Sequence, residues 1–365
     1  MADWYNASWL YRVKVTVDKT KLGGANQTAF PVYVDLSGLP AGFHSHCNQT
    51  DARDIRVTTS DGETEVPREV VSYTAASDTG ELHFKGTLSF SANTDFYIYY
   101  GNAAATEPAV DSTYGRNNVW TMYDDVFHLQ EASGTTAVNA VGANNGTFQG
   151  TLPDVSGAGK IGNAQTLVIA SEDYISSSHL LHFTDADFTI SFWMYPTAND
   201  NKPIINRWSD EWDVRIGYSG WGGGAENKLY FIYFDTSTGE HLCAGPAVNF
   251  DAWDHCLVVR RSGELYFYVN GAETDFGAVA PSFRATGSIG ITIGRYGDYA
   301  LYFAGRLDEM RVKAGTGVLA SWVTCEYNNQ NSPSTFYAVG AEEESGAPPA
   351  PSIVGWKTLL GIGQG

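Results

Sequence analysis

The segment that most constrains the fold of this chain is residues 187–196, which read D-F-T-I-S-F-W-M-Y-P. Apolar and small polar residues alternate along it, and it carries bulky rings at Phe188, Phe192 and Trp193. Alternation with a period of two places successive side chains on opposite faces of a strand. The segment is therefore predicted to be a strand that is buried on at least one face.

The composition indicates that such strands dominate the chain. Aromatic residues make up 13% of the 365 residues and glycine occurs 39 times, whereas methionine occurs only 4 times. Many rings combined with many glycines favour strands joined by tight turns. The length suits about two domains. We therefore predict an all-β protein, with two antiparallel β-sandwich or jelly-roll modules in tandem and a short C-terminal anchoring peptide.

The first module is predicted to span residues 1–110. Residues 10–17 alternate, with Val13, Val15 and Val17 on one face of a half-buried strand. Residues 60–62, S-D-G, predict a tight turn. About seven strand patterns at short spacing are typical of an antiparallel sandwich.

Three motifs in this module carry a resemblance to a known family. They are W-Y-N-A-S-W-L-Y-R at 4–12, A-R-D-I-R-V-T-T-S-D-G at 52–62 and Y-I-Y-Y-G-N at 97–102. Together they resemble the DUF2341-type β-sandwich domain of prokaryotic surface and phage proteins. The resemblance implies a second, laminin-G-like module behind it and no catalytic residue.

The second module is predicted at residues 111–344. Residues 187–196 are followed by W-D-H-C-L-V-V-R-R at 253–261, E-L-Y-F-Y-V-N-G at 264–271 and G-R-L-D-E-M-R-V at 305–312. In this order the four strings resemble the laminin-G-like, concanavalin A-type jelly roll. The resemblance places its opening strand at 120–131 and a last strand within 326–343 that closes the jelly roll. The residues at 316–327 themselves predict one helical turn, with Trp322 facing inward.

The C-terminal residues 345–365 differ from both modules. Residues 345–352 form a proline-containing linker, and residues 353–365 form a short apolar peptide. We predict that this tail docks on a virion or another surface-assembly protein. The docking residues would be Ile353, Val354, Trp356, Leu359, Leu360 and Ile362.

Aromatic residues in the second module are candidates for binding surface glycans. An aromatic face can hold a sugar ring through apolar and CH–π contact. The alternative for each ring is that it packs in the core. The candidates are Trp208, Trp212, Trp221, Tyr296 and Tyr299.

Acidic residues suggest two further kinds of site. One glycanase family of this fold carries the acid pattern E-x-D-x-x-E on one strand. Here Glu211 and Asp213 match the first two acids, but Ile216 stands at the third position. We therefore predict no catalytic residue. Calcium is the one cofactor that the sequence suggests. It would need oxygen ligands from several loops. Its candidate ligands are Asp173, Asp298 and Asp308; alternatively, Asp308 hydrogen-bonds the backbone of the first strand.

Charge and cysteine usage exclude several classes of function. The net charge of -19 repels the phosphates of nucleic acids and anionic membranes, so neither is expected as a partner. The four cysteines form no C-x-x-C pair, which argues against a zinc site, and we predict that they are unpaired.

Three functional hypotheses follow. The first is a non-enzymatic phage virion decoration or fibre protein with a lectin-like jelly roll, located on the virion surface and compatible with a homo-oligomer. No signal peptide is recognisable at the start of the sequence, in line with this hypothesis. The second is a secreted cell-surface adhesion module whose leader has been removed. The third is a glycan hydrolase with an unrecognised acid pair.

Overall fold

The short alternating segments of the chain form antiparallel strands almost throughout, which confirms the predicted all-β class. The computed structural model describes residues 3–198, 201–207, 211–218, 227–237, 239–279, 283–285, 287–297 and 299–346. Within these residues the strands form four sheets, two in each module. No helix among the described residues is both long and apolar enough to cross a membrane.

The first module is a sandwich of two sheets. Val13, Val15 and Val17 lie on the inner face of its first strand, as the alternation predicts, and Gly62 takes a positive φ of 85° in the predicted turn. The elements contributed by the N-terminal part of the chain are β1 (Tyr11–Val17), β2 (Gln27–Asp35), α1 (Ala41–His46), β3 (Arg56–Thr59), β4 (Glu65–Val66), β5 (Arg68–Thr74), β6 (Thr79–Leu88) and β7 (Thr94–Tyr100). The smaller sheet has the order β2-β6-β5.

The second module is a jelly roll of two larger sheets. Its elements are β8 (Asp125–Phe127), β9 (Thr136–Ala137), β10 (Gly146–Gln149), β11 (Gln165–Leu167), β12 (Tyr174–Ser177), β13 (Phe188–Pro196), β14 (Lys202–Arg207), β15 (Trp212–Ile216), β16 (Lys228–Phe234), β17 (Glu240–Ala247), β18 (Asp254–Arg261), β19 (Glu264–Val269), β20 (Ala272–Ala278), β21 (Ile291–Ile293), β22 (Gly305–Ala314), α2 (Ala320–Asn331) and α3 (Pro333–Phe336). One sheet has the order β17-β16-β15-β14-β21-β12-β10-β9, and the other has β11-β22-β13-β18-β19-β20 with β8 paired to β22.

The predicted strand at 187–196 is β13, in the centre of the second of these sheets. Its apolar residues Phe188, Ile190 and Phe192 point into the core between the two sheets. Its other face is also buried, because Ser191 donates a hydrogen bond to Glu326 at 2.9 Å and Trp193 donates one to Gln330 at 2.5 Å. The strand is thus covered on both faces, by the other sheet and by α2.

The last strand corrects the predicted closure of the jelly roll. β23 (Tyr337–Glu344) does not return to the second module but pairs antiparallel with β1, giving the first module a five-stranded sheet of order β23-β1-β7-β3-β4. Its side chains strengthen the pairing, because Glu343 binds the buried guanidinium of Arg12 at 2.8 Å. The first module is therefore completed by the C-terminal end of the described chain. The prediction that placed residues 337–344 in the second module is wrong.

Helix α2 lies between the two modules. The predicted single turn is a helix of 12 residues, and Trp322 faces inward as predicted, with its ring 5.0 Å from that of Phe30 in β2. The side chain of Asn329 accepts a hydrogen bond from the backbone N–H of Tyr33 at 2.8 Å and donates one to its carbonyl at 2.9 Å. The helix therefore satisfies the edge of β2, which would otherwise expose unpaired backbone groups.

The four cysteines all lie among the described residues and none is bonded to another. Cys243 and Cys256 pack in the core of the jelly roll, Cys325 is buried in α2, and Cys47 is half-buried. Burial raises the pKa of the Cys243 thiol to about 12, so this sulfur is held as an unreactive thiol.

Candidate functional site

A group of buried polar side chains lies on the outer side of β14, β15 and β21 in the eight-stranded sheet of the jelly roll. In β15 the alternation W-D-V-R-I turns Trp212 and Val214 into the core, so Asp213 and Arg215 point to the opposite face. The register places Asp213 beside Asn206 in β14, and Asn206 beside Thr292 in β21. We call Asn206, Asp213, Arg215, Tyr296 and Tyr299 the polar face.

Asp213 carries a carboxylate oxygen with no hydrogen-bond partner. Its Oδ2 accepts a hydrogen bond from Nε of Arg215, whereas its buried Oδ1 has none, although only 2% of the residue is exposed. Burial raises the pKa of this carboxyl group, and the neighbouring guanidinium opposes the rise. A buried acceptor left without a donor is costly, so a hydroxyl or N–H group that reached Oδ1 would be bound favourably.

A turn after β21 carries two aromatic rings, one of which lies against Arg215. Asn206 donates a hydrogen bond to the carbonyl of Arg295 at 2.5 Å and accepts one from the backbone N–H of Gly297 at 3.3 Å, which fixes the turn. Tyr296 and Tyr299 then stack with their ring centres 5.7 Å apart and 19° between the planes. Tyr299 is 56% exposed, so this ring offers a face to solvent.

The guanidinium of Arg215 joins the acid to the rings. Its Cζ lies 4.4 Å from the ring centre of Tyr296 and 5.9 Å from that of Tyr218, and its Nη1 donates a hydrogen bond to Asn201 at 2.5 Å. Contact with an aromatic face and several fixed hydrogen bonds hold this side chain rigidly. The polar face therefore combines a hydrogen-bonded guanidinium, a buried acceptor without a donor and a ring that is 56% exposed, groups of the kinds that bind a polyhydroxylated ring.

The structure brings together only some of the residues predicted to bind glycans. Tyr296 and Tyr299 lie side by side. Trp212 was wrongly included, because its ring is buried in the core, stacks on Phe183 at 4.5 Å and donates its N–H to the carbonyl of Leu181. The alternation of bulky residues in β15 drives this ring inward. Trp208 and Trp221 lie outside the described residues.

Asp213 and Arg215 were not predicted to bind a ligand. The available signal was the alternation in β15, which places both charged residues on the face opposite Trp212 and Val214. The sequence did not show that Asn206 and the turn at 295–297 lie beside them, because that depends on strands far apart in the chain.

The acid pair of a glycanase is not assembled by Glu211 and Asp213. Glu211 is 1% exposed and its carboxylate is occupied by the guanidinium of Arg207, by His182 at 3.0 Å and by the backbone N–H of Gly287 at 2.7 Å. The two acids therefore have separate partners, and Glu211 serves to hold the loop at Gly287.

The predicted calcium ligands that can be located serve as backbone acceptors. Asp173 accepts hydrogen bonds from the N–H groups of Thr151 at 2.6 Å and Val168 at 2.9 Å. Asp308 accepts them from Lys160 at 2.8 Å and Ile161 at 2.9 Å. These backbone partners precede β11, whereas the alternative prediction for Asp308 placed them in the first strand. Asp298 lies outside the described residues, and the calcium site stays a prediction.

Comparison with known proteins places the jelly roll in a broad class. Residues 170–316 match the model of the concanavalin A-like lectin/glucanases superfamily, in its Laminin_G_3 form. The second module thus has the lectin-like fold that the sequence motifs predict. No curated protein matches the chain.

Several solved structures align with about half of this chain. Domain 4 of AbnA, an extracellular GH43 arabinanase of Geobacillus stearothermophilus solved with arabinotriose, is 20% identical, with a TM-score of 0.42 over 55% of this chain and 96% of that domain. The binding domain of Paraclostridial Mosquitocidal Protein 1 is 16% identical, with a TM-score of 0.41 over 56% of this chain and 52% of that one. The receptor-binding domain of botulinum neurotoxin C/D is 12% identical, with a TM-score of 0.42 over 57% and 51%. About half of each toxin domain is matched.

Proposed function

We propose that this chain is a non-enzymatic recognition protein whose jelly roll binds surface glycans through the polar face. It would be displayed on the surface of a particle, as a decoration or fibre protein of a phage virion, with residues 345–365 as its docking peptide. The observation that carries the binding proposal is that Arg215 joins Asp213, whose Oδ1 has no partner, to the ring of Tyr296, on which the exposed ring of Tyr299 stacks.

Sugar recognition accounts for this combination of groups. A pyranose or furanose ring presents apolar C–H groups on one face and hydroxyl groups around its rim. The exposed ring of Tyr299 would accept the C–H face, while Oδ1 of Asp213 would accept a hydroxyl hydrogen bond. The fixed guanidinium of Arg215 would help to orient a hydroxyl oxygen.

Glycan-array binding by the full chain, followed by titration of the best ligand, tests this proposal. We expect Tyr299→Ala to weaken binding about 3- to 10-fold, the loss expected for one ring contact. Asp213→Asn should weaken it about 10- to 100-fold, because the hydrogen bond to a charged acceptor is lost. Trp208→Ala and Trp221→Ala test the two rings that were predicted from the sequence alone.

The matched control is Tyr114→Ala, which removes a ring that is 39% exposed in the segment after the first module. It should leave the affinity unchanged. The proposal fails if no glycan binds, or if binding survives both Tyr299→Ala and Asp213→Asn in folded protein. Release of reducing ends from any bound glycan would instead favour the hydrolase hypothesis.

The proposed location has a separate test. Deleting residues 345–365 should abolish attachment to the particle while leaving glycan binding intact, and the gene should lie among capsid and tail genes. A truncated protein that still incorporates would exclude the docking role. A gene placed among secreted surface proteins would favour the adhesion module.

A further inference from the structure

A group of four buried side chains lies between the two modules. Glu81, His83, His128 and Glu309 each offer one ligand atom, and these atoms all lie within 4.8 Å of one another. We call them the inter-module cluster. At most 8% of any of these side chains is exposed to solvent.

The first module supplies two members of the cluster from β6. Leu82 and Phe84 point into the core of the sandwich, so the intervening residues Glu81 and His83 point outward, towards the jelly roll. The two side chains meet, with Nε2 of His83 2.7 Å from Oε1 of Glu81.

The jelly roll supplies the other two members. His128 follows β8, and its Nδ1 lies 2.5 Å from Glu309 and 3.6 Å from Glu81. Glu309 lies in a bulge of β22 with a φ of 50°, in the left-handed region that a glutamate rarely adopts. The bulge breaks the alternation of side chains at Glu309, and the Glu309 carboxylate contacts the imidazole of His128.

Carboxyl groups outnumber basic groups around the cluster. Glu69 lies 3.3 Å from His128, and Glu326 lies 3.5 Å from Arg311, which also binds Glu309 at 2.5 Å. The carboxyl groups of Glu69, Glu81, Glu309 and Glu326 thus share the guanidinium of Arg311 and the imidazoles of His83 and His128. Buried charge of one sign is costly unless an opposite charge compensates it, and a divalent cation would offset two of these carboxylates.

The donor set and spacing fit such an ion. Two imidazole nitrogens and two carboxylate oxygens form a ligand set typical of divalent first-row transition metals. At metal–ligand distances of about 2.1 Å, the donors of a tetrahedral site lie about 3.4 Å apart, so side-chain movements of about 1 Å would bring these donor atoms, now within 4.8 Å of one another, onto one ion. The hydrogen bonds at 2.5 and 2.7 Å would be replaced by metal bonds, with release of the bridging protons.

We propose that the inter-module cluster binds one divalent transition-metal ion, which links the first module to the jelly roll. Each module contributes one histidine and one glutamate, so the ion is held fully only when the modules are packed together. Its role is structural, because the ligands are buried and come from both modules. This site is independent of the proposed glycan binding.

Metal analysis of the purified full chain with zinc as the probe tests the proposal. We expect about one equivalent of metal after loading with Zn²⁺ and dialysis, and X-ray absorption should show nitrogen and oxygen ligands including two imidazoles. Removing the ion with a chelator should lower the melting temperature, and adding Zn²⁺ back should restore it.

Variants locate the ion. His83→Gln and His128→Gln should each lose the bound zinc, whereas His255→Gln is the matched control. His255 is also buried beside a glutamate, Glu326 at 3.5 Å, but it is not part of the cluster, so the zinc should remain. Folded wild-type protein that binds no zinc would overturn the proposal, as would zinc retained by both cluster variants. If the variants do not fold, the X-ray absorption spectrum of zinc-loaded wild-type protein tests the site, because a spectrum without two imidazole ligands would contradict the proposed ligand set.

Discussion

Asn329 shows how much of the packing between the modules can depend on one side chain. Its amide group pairs with both backbone polar groups of Tyr33, as a neighbouring strand would. The residue is 1% exposed, so water cannot replace these bonds. Nothing in the sequence N-N-Q-N marks Asn329 for this role, because its neighbours in α2 are chemically similar.

We predict that Asn329→Ala lowers the free energy of unfolding by about 2–4 kcal/mol, because two buried backbone groups lose their partners. The matched control is Asn331→Ala, an exposed residue in the same helix, which should change stability by less than about 0.5 kcal/mol. Denaturant unfolding of both variants provides the measurement. Equal effects of the two substitutions would contradict the assigned role.

At the scale of elements, alternation predicts strands but not their partners. β1 and β13 were predicted correctly because apolar residues recur at every second position, which is a property of the segment itself. β23 was also expected as a strand, but its partner β1 lies more than 300 residues away, and its own residues do not specify that choice. The polar face was only half predicted for the same reason: its tyrosines are close in sequence, whereas Asn206 and Asp213 come together through sheet pairing.

We predict that β23 is required to protect the first module. Ending the chain at Phe336 exposes the edge of β1 and removes both Glu343 from Arg12 and Glu342 from the hydroxyl of Tyr100. The truncated protein should therefore melt at a lower temperature and aggregate more than the full chain in thermal unfolding with light scattering.

A synthetic peptide with the sequence of residues 337–346 is the matching test of specificity. Added in excess, it should restore part of the lost melting temperature by pairing with β1, whereas a scrambled peptide should not. An unchanged melting temperature after truncation would show that β1 does not depend on this strand.

At the scale of the whole molecule, the jelly roll has its own core, but the core of the first module continues onto the outer face of the jelly roll. One apolar cluster joins Phe84 and Ile98 of the first sandwich to Leu257 and Val259 on the outer face of the jelly roll, with Trp322 between them. The inter-module cluster lies in the same interface. A boundary near residue 110, predicted from the sequence, thus separates two folds that share a packed apolar interface.

The packed apolar interface between the two modules predicts that the described chain unfolds as one cooperative unit. Phe84→Ala in the first module and Phe148→Ala in the jelly roll should each cost about 3–5 kcal/mol, and each should lower the temperature of one common transition in scanning calorimetry. The exposed control Tyr114→Ala should leave that transition in place. If either phenylalanine variant split off a separate transition at lower temperature while the remainder kept the wild-type melting temperature, the modules would be thermodynamically independent. The interface would then be a contact between two stable domains, and the metal proposed to link them would stabilise their association more than their folding.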